Sequence, residues 1–277
     1  MALRQYVSER NGKRYWNKNR KGDKIRIATF NIWNSDRGMP RRGEQIIEEI
    51  KKVNADLICL QEVREDFYNK IKSEISEYKY DYYHTINNKY DGLLVLSRYP
   101  ILTKRYTKSA VPTTFEYEDD SFLLVDVHLP SDNITQEELD IVNILREIDD
   151  IDTDHAILAG DFNCSVNSSV HHYLKGERTL LNSEANPRFY DLAEVYADIT
   201  DSIPEKTLDL RDNPRWKGRN YTYTSSRLDR IYLRDTFPRS PPLLESFSLF
   251  GKDVDEKSGY CASDHYGVVA EIIIDQL

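Results

Sequence analysis

The amino-acid sequence predicts one layered α/β domain, and three features of the chain indicate this class. Apolar runs of strand length, such as residues 57–60 and 156–159, alternate with amphipathic stretches of helix length. Hydrophobic residues make up 39% of the 277 residues, which is enough for a substantial core. Nothing in the middle of the chain has the composition of a flexible linker. Helices that cover both faces of apolar strands produce a layered architecture.

The first part of the chain predicts three strands and two helices. Residues 24–30 alternate charged and apolar side chains and then run apolar into Asn31, as a strand does when it enters a core. Residues 57–60 fit a strand buried on both faces, and residues 93–96 fit a third strand bounded by turn signals. Apolar residues at helical spacing predict the two helices, with Ile46, Ile47, Ile50 and Val53 in the first and Tyr68, Ile71, Ile75 and Tyr78 in the second.

The remaining chain predicts a third long helix and further core strands. Thr135 begins a capping-box pattern, so this helix is predicted to start there, with an apolar face that includes Leu139 and Val142. The pattern does not distinguish parallel from antiparallel pairing of the strands. Further strands are predicted at residues 122–129, 156–159, 228–233 and 268–273, and short helices near residues 170–174 and 191–196.

The net charge of −9 excludes a basic protein that coats nucleic acid non-specifically. Residues 1–24 differ from the rest because they contain eight basic and two acidic residues. We interpret residues 1–24 as a flexible leader and residues 25–277 as the folded domain. The alternative for the leader is an arm that contacts nucleic-acid phosphates.

The three cysteines are widely spaced and give neither a disulfide framework nor the spacing of a zinc site. We therefore expect an intracellular compartment, nuclear or cytoplasmic. The sequence contains no run of about 20 apolar residues, which is the length that a helix needs to cross a membrane. No membrane partner is therefore expected. We expect a monomer.

Polar and ionisable residues cluster where the predicted buried strands end. Asn31, Glu62, His128, Asp161 and Asn163 all lie at or just after such an end. Burying these groups without partners costs several kcal/mol each, whereas strand ends that converge on one rim can present them to a ligand. Each residue alone also fits a turn or a solvated strand end. The set as a whole predicts a functional site.

Six motif-like segments follow one another along the chain: Thr29-Phe30-Asn31-Ile32, Leu60-Gln61-Glu62-Val63, Val127-His128-Leu129-Pro130-Ser131, Gly160-Asp161-Phe162-Asn163, Arg227-Leu228-Asp229-Arg230-Ile231 and Ser263-Asp264-His265-Tyr266-Gly267. In these segments the sequence resembles the endonuclease/exonuclease/phosphatase superfamily, which includes DNase I, the exonuclease III-type apurinic endonucleases and the tyrosyl-DNA phosphodiesterases. The resemblance implies a four-layer αββα sandwich of the DNase I type, with the active site at one rim of two packed sheets.

One further segment resembles the tyrosyl-DNA phosphodiesterase type within the superfamily. That type carries a Thr-x-Asp pattern followed by Asn, and Thr207, Asp209 and Asn213 match it. Leu208 stands where that type has an aromatic residue, and residues 130–133 also differ from its pattern.

The resemblance and the chemistry of phosphodiester hydrolysis together imply a role for each matched residue. The metal is expected to be Mg²⁺ or Mn²⁺, which prefer hard oxygen ligands. Asp161 is expected to position and deprotonate the attacking water, while Asp229 orients His265. The expected metal ligands are Glu62, Asn31 and Asp264, and the expected phosphate or substrate contacts are Asn163, His265, His128, Ser131 and Asn31.

The sequence thus predicts a Mg²⁺-dependent phosphodiesterase with DNA ends as its leading substrate, including ends that carry a 5′-tyrosyl adduct. Three alternatives stay open: an apurinic or general endonuclease or exonuclease, a phospholipid or inositol-phosphate hydrolase, and an inactive binding module. The presence of Glu62, Asp161, Asn163 and His265 argues against the inactive module, because losing any one of them would be the simplest route to inactivity.

Overall fold

The structure is a computed structural model that describes residues 7–10, 13–16, 22–87, 91–217, 224–237 and 241–274. Its strands are β1 (Val7–Arg10), β2 (Lys13–Trp16), β3 (Asp23–Asn31), β4 (Leu57–Gln61), β5 (Tyr80–Asn87), β6 (Asp91–Ser97), β7 (Thr103–Lys104), β8 (Ala110–Tyr117), β9 (Asp120–His128), β10 (His155–Asp161), β11 (Phe189–Asp191), β12 (Asp229–Arg234), β13 (Leu243–Phe250) and β14 (Gly267–Ile274). Its helices are α1 (Arg41–Val53), α2 (Glu65–Glu74), α3 (Ile134–Glu147), α4 (Ser169–Leu174) and α5 (Leu192–Thr200), with a 3-10 turn at Pro214–Trp216.

The strands form two six-stranded sheets that pack face to face. Sheet I has the order β13-β14-β3-β4-β6-β5, and sheet II has the order β11-β12-β10-β9-β8-β7. Each sheet contains one parallel pair, β3 with β4 and β9 with β10, and the other neighbours are antiparallel. Strands β1 and β2 form a separate two-stranded antiparallel sheet.

Helices cover the outer face of each sheet. On sheet I, α1 and α2 bury residues such as Ile50 and Phe67 against Ile58 of β4. On sheet II, α3 and α4 bury their apolar residues against β9, β10 and Tyr232. Apolar side chains from both sheets fill the space between the sheets. The predicted α/β class and the four-layer αββα sandwich are therefore confirmed.

Some helix predictions are wrong in detail. Helix α3 begins one residue before Thr135, and its N-cap is Asn133, whose side chain accepts a backbone hydrogen bond of the first turn. Asn is as good an N-cap as Thr or Ser, so the capping-box pattern misplaced the start. Leu139 is 36% exposed, because the buried face of α3 is rotated away from it. Helix α2 ends at residue 74, and Ile75 and Tyr78 are buried from the segment that follows.

Two expectations about the chain as a whole concern the leader at residues 1–24 and membrane-spanning segments. The leader at residues 1–24 lies largely outside the described residues; its described parts are β1, β2 and the start of β3, so its flexibility stays a prediction. Among the described residues, no helix combines the length and the apolar character needed to cross a membrane.

The strand directions bring polar residues from both sheets to one rim. The parallel strands β3 and β4 end with Asn31 opposite Gln61, and the parallel strands β9 and β10 end with His128 opposite Asp161. The antiparallel strand β12 begins at this rim with Asp229 opposite Asp161. Strands β6 and β14 are antiparallel to their neighbours in sheet I, so they also begin at this rim.

Glu137 in α3 provides a test of how the helix layer is packed. Its side chain is buried, and burial together with the charge of Glu138 raises its pKa from 4.5 to about 7. The folded protein therefore keeps a proton that the unfolded chain releases, and this site makes stability fall as the pH rises from about 4.5 to 7. We expect Glu137→Gln to be more stable than the wild type at pH 8 by on the order of 1 kcal/mol, with no gain at pH 4.

Urea unfolding of both proteins at the two pH values measures this difference. The exposed Glu116, which lies on β8, gives the matched control Glu116→Gln, and it should leave stability unchanged at both pH values. A Glu137→Gln protein that is less stable than the wild type at pH 8 would show that the carboxylate is well accommodated.

Candidate active site

Asn31 connects the two sheets at the rim. Its Nδ2 donates to Oδ2 of Asp161 at 2.9 Å and to Oε1 of Glu62 at 3.0 Å. Its Oδ1 accepts the backbone N–H of Trp33 at 3.0 Å, and the backbone N–H of Asn34 donates to Oε2 of Glu62 at 3.0 Å. The amide therefore fixes two carboxylates, one from each sheet, in a single hydrogen-bonded group.

His265 lies between two buried carboxylates. Its Nδ1 is 2.9 Å from Oδ2 of Asp229 and 3.8 Å from Oδ2 of Asp161. Burial by itself lowers the pKa of His265, but the charges of Asp229 and Asp161 outweigh it and raise this pKa well above 6.5. The imidazole is therefore protonated at neutral pH.

Asp161 stays ionised although it is 1% exposed. Burial opposes its ionisation, but the two nearby imidazoles and the hydrogen bond from Asn31 outweigh burial and lower its pKa. One imidazole belongs to His265, and the other belongs to His128, whose Nε2 is 3.9 Å from Oδ2 of Asp161. A buried carboxylate that stays ionised can orient a water molecule through a hydrogen bond, although its lowered pKa makes it a weak base.

The loop after β10 depends on a glycine at its start. Gly160 has a φ of +155°, and a Cβ at this position would lie 1.9 Å from the carbonyl oxygen of Val127. Asn163, with a φ of +49°, donates its backbone N–H to Asp161 at 2.9 Å and its Nδ2 to the carbonyl of Leu129 at 2.8 Å. The Asn163 amide is thus held at the rim with one N–H in use and one remaining.

Asp91, which the sequence indicated only as part of a turn, also belongs to the rim. Its Oδ1 is 4.0 Å from Nδ1 of His128, and this oxygen is buried with no hydrogen-bond partner among the described residues. Burial raises the pKa of Asp91, the His128 charge lowers it, and the Glu62 carboxylate adds a smaller upward shift. Asp91 and His128 line a groove of about 450 Å³ that also contains Ser131 and Lys108. Ser131 faces this groove rather than the carboxylate cluster.

The carboxylates of Glu62 and Asp264 fit a divalent cation. Burial raises the pKa of Asp264 to about 6, and the charge of Glu62 contributes to this shift against the opposing effect of His265. A cation between the two carboxylates would relieve that repulsion, and hard oxygen ligands are those that Mg²⁺ prefers. Glu62 has a φ of +57°, an unusual conformation for a non-glycine residue, and such conformations recur at functional sites.

Among the described residues, two groups each contain three possible ligand atoms within 4.8 Å of one another: Asp161, Asp229 and His265 at the rim, and His171, Asp191 and Glu194, which join α4, β11 and α5. Arg227 donates to Asp191 at 2.5 Å and to Glu194 at 3.2 Å. Because ion pairs already neutralise the carboxylates of the second group, this group stabilises the structure rather than offering a cation site.

The comparisons with known proteins agree with this geometry. A sequence model of the Endonuclease/Exonuclease/phosphatase family matches residues 28–265. The chain belongs to this family. A comparison with curated proteins gave no match.

Solved structures of other family members have the same fold. Truncated TDP2 from Caenorhabditis elegans superposes with a TM-score of 0.71 at 19% identity, covering 91% of this chain and 98% of that one. D. rerio TDP2 complexed with a single-strand DNA product gives 0.72 at 16% identity, covering 91% and 99%. The human Nocturnin catalytic domain with a bound sulfate anion gives 0.62 at 17% identity, covering 90% and 94%. At these identities the likeness concerns the fold.

The structure brings most of the predicted site residues of this family member together at the rim. The exception is Ser131, which lies in the groove. The segment that resembles the tyrosyl-DNA phosphodiesterase type is hydrogen-bonded to the backbone of two rim segments. Thr207 Oγ1 accepts the backbone N–H of Asp229 at 3.1 Å, and Asn213 Nδ2 donates to the carbonyl of Ser263 at 2.9 Å. The residues that meet at the rim are Asn31, Glu62, His128, Asp161, Asn163, Asp229, Asp264 and His265.

Arg42, which the sequence analysis did not identify, holds two rim loops in place. Its side chain is 0% exposed, and burial lowers its pKa to about 10. Every N–H direction of the guanidinium is used on a backbone carbonyl, and no neutral or shorter side chain offers this fork of donors. The carbonyl acceptors belong to Ile32 (2.8 Å), Trp33 (3.0 Å), Arg37 (2.8 Å), Ala262 (3.1 Å) and Ser35.

We expect Arg42→Lys to destabilise the protein by about 2–4 kcal/mol, because a lysine leaves several of these carbonyls without donors. Thermal and urea unfolding measure this loss. The neighbouring Arg41 pairs with Glu44, Glu48 and Asp255 and keeps 32% of its side chain exposed, so Arg41→Lys should cost far less stability than Arg42→Lys. Equal, small effects of the two substitutions would contradict the assigned role of Arg42.

Proposed function

We propose that this chain is a divalent-metal-dependent phosphodiesterase that hydrolyses phosphate esters at DNA ends. The observation that carries the proposal is the grouping of an ionised, buried Asp161 with a protonated His265, next to the carboxylate of Glu62. Phosphodiester hydrolysis needs a base for the attacking water and donors for the charge that develops on phosphorus-bound oxygens. This rim provides both.

Glu62, Asn31 and Asp264 are the residues that would hold the metal. A bound Mg²⁺ or Mn²⁺ supplies positive charge that neutralises phosphate oxygens. Asn31 Oδ1 accepts one hydrogen bond, from the backbone of Trp33, and its second lone pair could coordinate the metal, whereas Nδ2 is already committed to the two carboxylates. In this geometry Asn31 acts first as an orienting residue.

Asp161 is the proposed general base. Its lowered pKa keeps it ionised at neutral pH, and the hydrogen bonds from Asn31 and from the Asn163 backbone fix the direction of its lone pairs. Asp229 holds Nδ1 of His265 at 2.9 Å, so the other ring nitrogen can donate its proton to a non-bridging phosphate oxygen.

The second set of donors lies across Asp161 from His265. His128 lies at 3.9 Å from Asp161, and the remaining amide N–H of Asn163 lies on the adjacent loop. A phosphate bound above Asp161 would therefore meet donors from both sheets. Ser131 would act on a leaving group within the groove.

Two observations support DNA ends as the substrate. The D. rerio relative was solved with a single-strand DNA product, and it shares this fold. Thr207 and Asn213, which match the tyrosyl-DNA phosphodiesterase pattern, are buried supports of the Asp229 and Ser263 segments. Leu208 removes an aromatic side chain found in that type, so we propose no strong preference for a tyrosyl leaving group.

We expect Asp161→Asn and His265→Ala to lower kcat by at least about hundredfold, because each acts on the transition state. Steady-state kinetics together with melting temperatures test this expectation. Asp119→Asn and His172→Ala are the matched controls, since both residues lie away from the rim, and they should leave kcat unchanged. A variant with a lower Tm but normal activity per folded molecule would show that the replaced residue has a structural role and no role in catalysis.

A panel of phosphate esters tests the metal and the substrate together. Excess chelator should abolish hydrolysis and Mg²⁺ or Mn²⁺ should restore it, because carboxylate and amide oxygens dominate the site. Single-stranded or frayed DNA should be hydrolysed faster than sphingomyelin, with a 5′-phosphotyrosyl oligonucleotide no better than plain DNA. Faster turnover of sphingomyelin would contradict the DNA proposal, and faster turnover of an abasic duplex would assign the chain to the apurinic type.

A further inference from the structure

A cation–aromatic stack lies on the side of the rim formed by Asp264. The guanidinium carbon of Arg215 is 4.9 Å from the ring centre of Trp33 and 4.7 Å from that of Trp216. Trp33 follows Asn31 by two residues, and Nε1 of Trp216 donates to the carbonyl of Asp264 at 3.4 Å. Trp33 therefore lies in the loop that carries Asn31, and Trp216 is hydrogen-bonded to the segment that carries Asp264.

The backbone conformation of Trp33 and the side-chain hydrogen bonds of Asn213 hold Arg215 next to the two indole rings. Trp33 has a φ of +56°, which costs energy for a bulky side chain and places its indole toward the 213–216 turn. The side chain of Asn213 accepts the backbone N–H of Arg215 at 3.1 Å and donates to the carbonyl of Ser263 at 2.9 Å. Arg215 is thus held from its backbone as well as by the indole of Trp33.

The guanidinium of Arg215 is held by aromatic faces instead of hydrogen bonds. Nε and Nη1 are buried and have no hydrogen-bond partner among the described residues, although the side chain as a whole is partly exposed. A partly desolvated cation favours an anion more strongly than a fully hydrated one does.

We propose that Arg215 binds a second phosphate of a single-stranded nucleic acid, next to the scissile one, and so fixes on which side of the metal site the strand lies. This inference rests on the proposed phosphodiesterase function. Because Nε and Nη1 are buried, Nη2 is the donor that the guanidinium has left for a phosphate oxygen, and the contacts with Trp33 and Trp216 hold the guanidinium in place before the strand binds.

The opposite flank of the rim has a different chemical character. The groove beyond His128 contains the carboxylates of Asp91 and Asp132 with one lysine, Lys108. That flank repels additional phosphates, whereas Arg215 attracts them. The polyanionic part of the substrate therefore lies on the Arg215 side, and the leaving group lies in the groove.

Methylphosphonate substitution tests the position of the second phosphate. Short fluorescent dT oligonucleotides, each with one phosphate replaced by an uncharged methylphosphonate, are titrated in Mg²⁺ against the full chain carrying Asp161→Asn, which keeps the strand intact. At one position beside the scissile phosphate, loss of the charge should weaken binding by about tenfold. After the additional change Arg215→Ala, the loss at that position should fall below about twofold. The scissile position itself should stay equally sensitive in both proteins.

The exposed Arg211 in the same turn provides the control, because Arg211→Ala removes the same charge and should keep the tenfold loss. If Arg215→Ala folds poorly, the methylphosphonate scan of the protein with Arg215 intact still tests whether a neighbouring phosphate contributes to binding. No sensitive neighbouring phosphate, or one that stays sensitive without Arg215, overturns the inference. If the methylphosphonate effect depends on Arg215 but the wild type hydrolyses no phosphodiester, the proposed function alone is contradicted. If the wild type hydrolyses phosphodiesters but the methylphosphonate effect does not depend on Arg215, this inference alone is contradicted.

Discussion

Two buried carboxylates that share one protonated imidazole are the constraint on which this rim depends. Asp161 and Asp229 are each 1% exposed and lie opposite each other on β10 and β12. Neither charge could stay buried without compensation, and His265 supplies it from the segment just before β14 in the other sheet. The two sheets must therefore pack in the one register that places His265 between them. The contact of His265 with Asp161 and Asp229 thus contributes both to the packing of the two sheets and to the chemistry of the rim.

A second constraint is the backbone strain of the loops that carry the site. Trp33, Glu62 and Asn163 all have positive φ values; Glu62 and Asn163 belong to the rim, and Trp33 lies two residues after Asn31. Such conformations persist only where the surroundings hold them in place. Arg42 does so for the loop after Asn31 by donating to successive carbonyls, and Gly160 does so for β10 by allowing close approach to β9. The stability of the helix and sheet layers thus maintains an unfavourable local geometry at the rim.

The sequence was sufficient for the fold class because the central strands are apolar on both faces and leave no other interpretation for residues 57–60 or 156–159. It missed the long strands β5, β8 and β13 and the short strands β1, β2, β7 and β11, and it could not assign pairing. The partly exposed, aromatic or charged residues of β5 and β13 give no clear period. The predicted site residues in the six motif-like segments, apart from Ser131, lie near one another at the rim, and their roles stay predictions. Asp91 and Arg42 were not identified, because a strand-start aspartate and a helix arginine acquire their roles only through tertiary contacts.

The overall charge of −9 and a phosphate-ester substrate are compatible because the charges are unevenly placed. Carboxylates concentrate at the rim, where a divalent cation would reverse the local sign, and in the groove beyond His128. The Arg215 stack puts a fixed cation on the remaining flank. The Arg215 stack thereby offers a polyanion an attractive contact on this flank. An acidic protein can in this way recognise the end of a strand while binding poorly along its length.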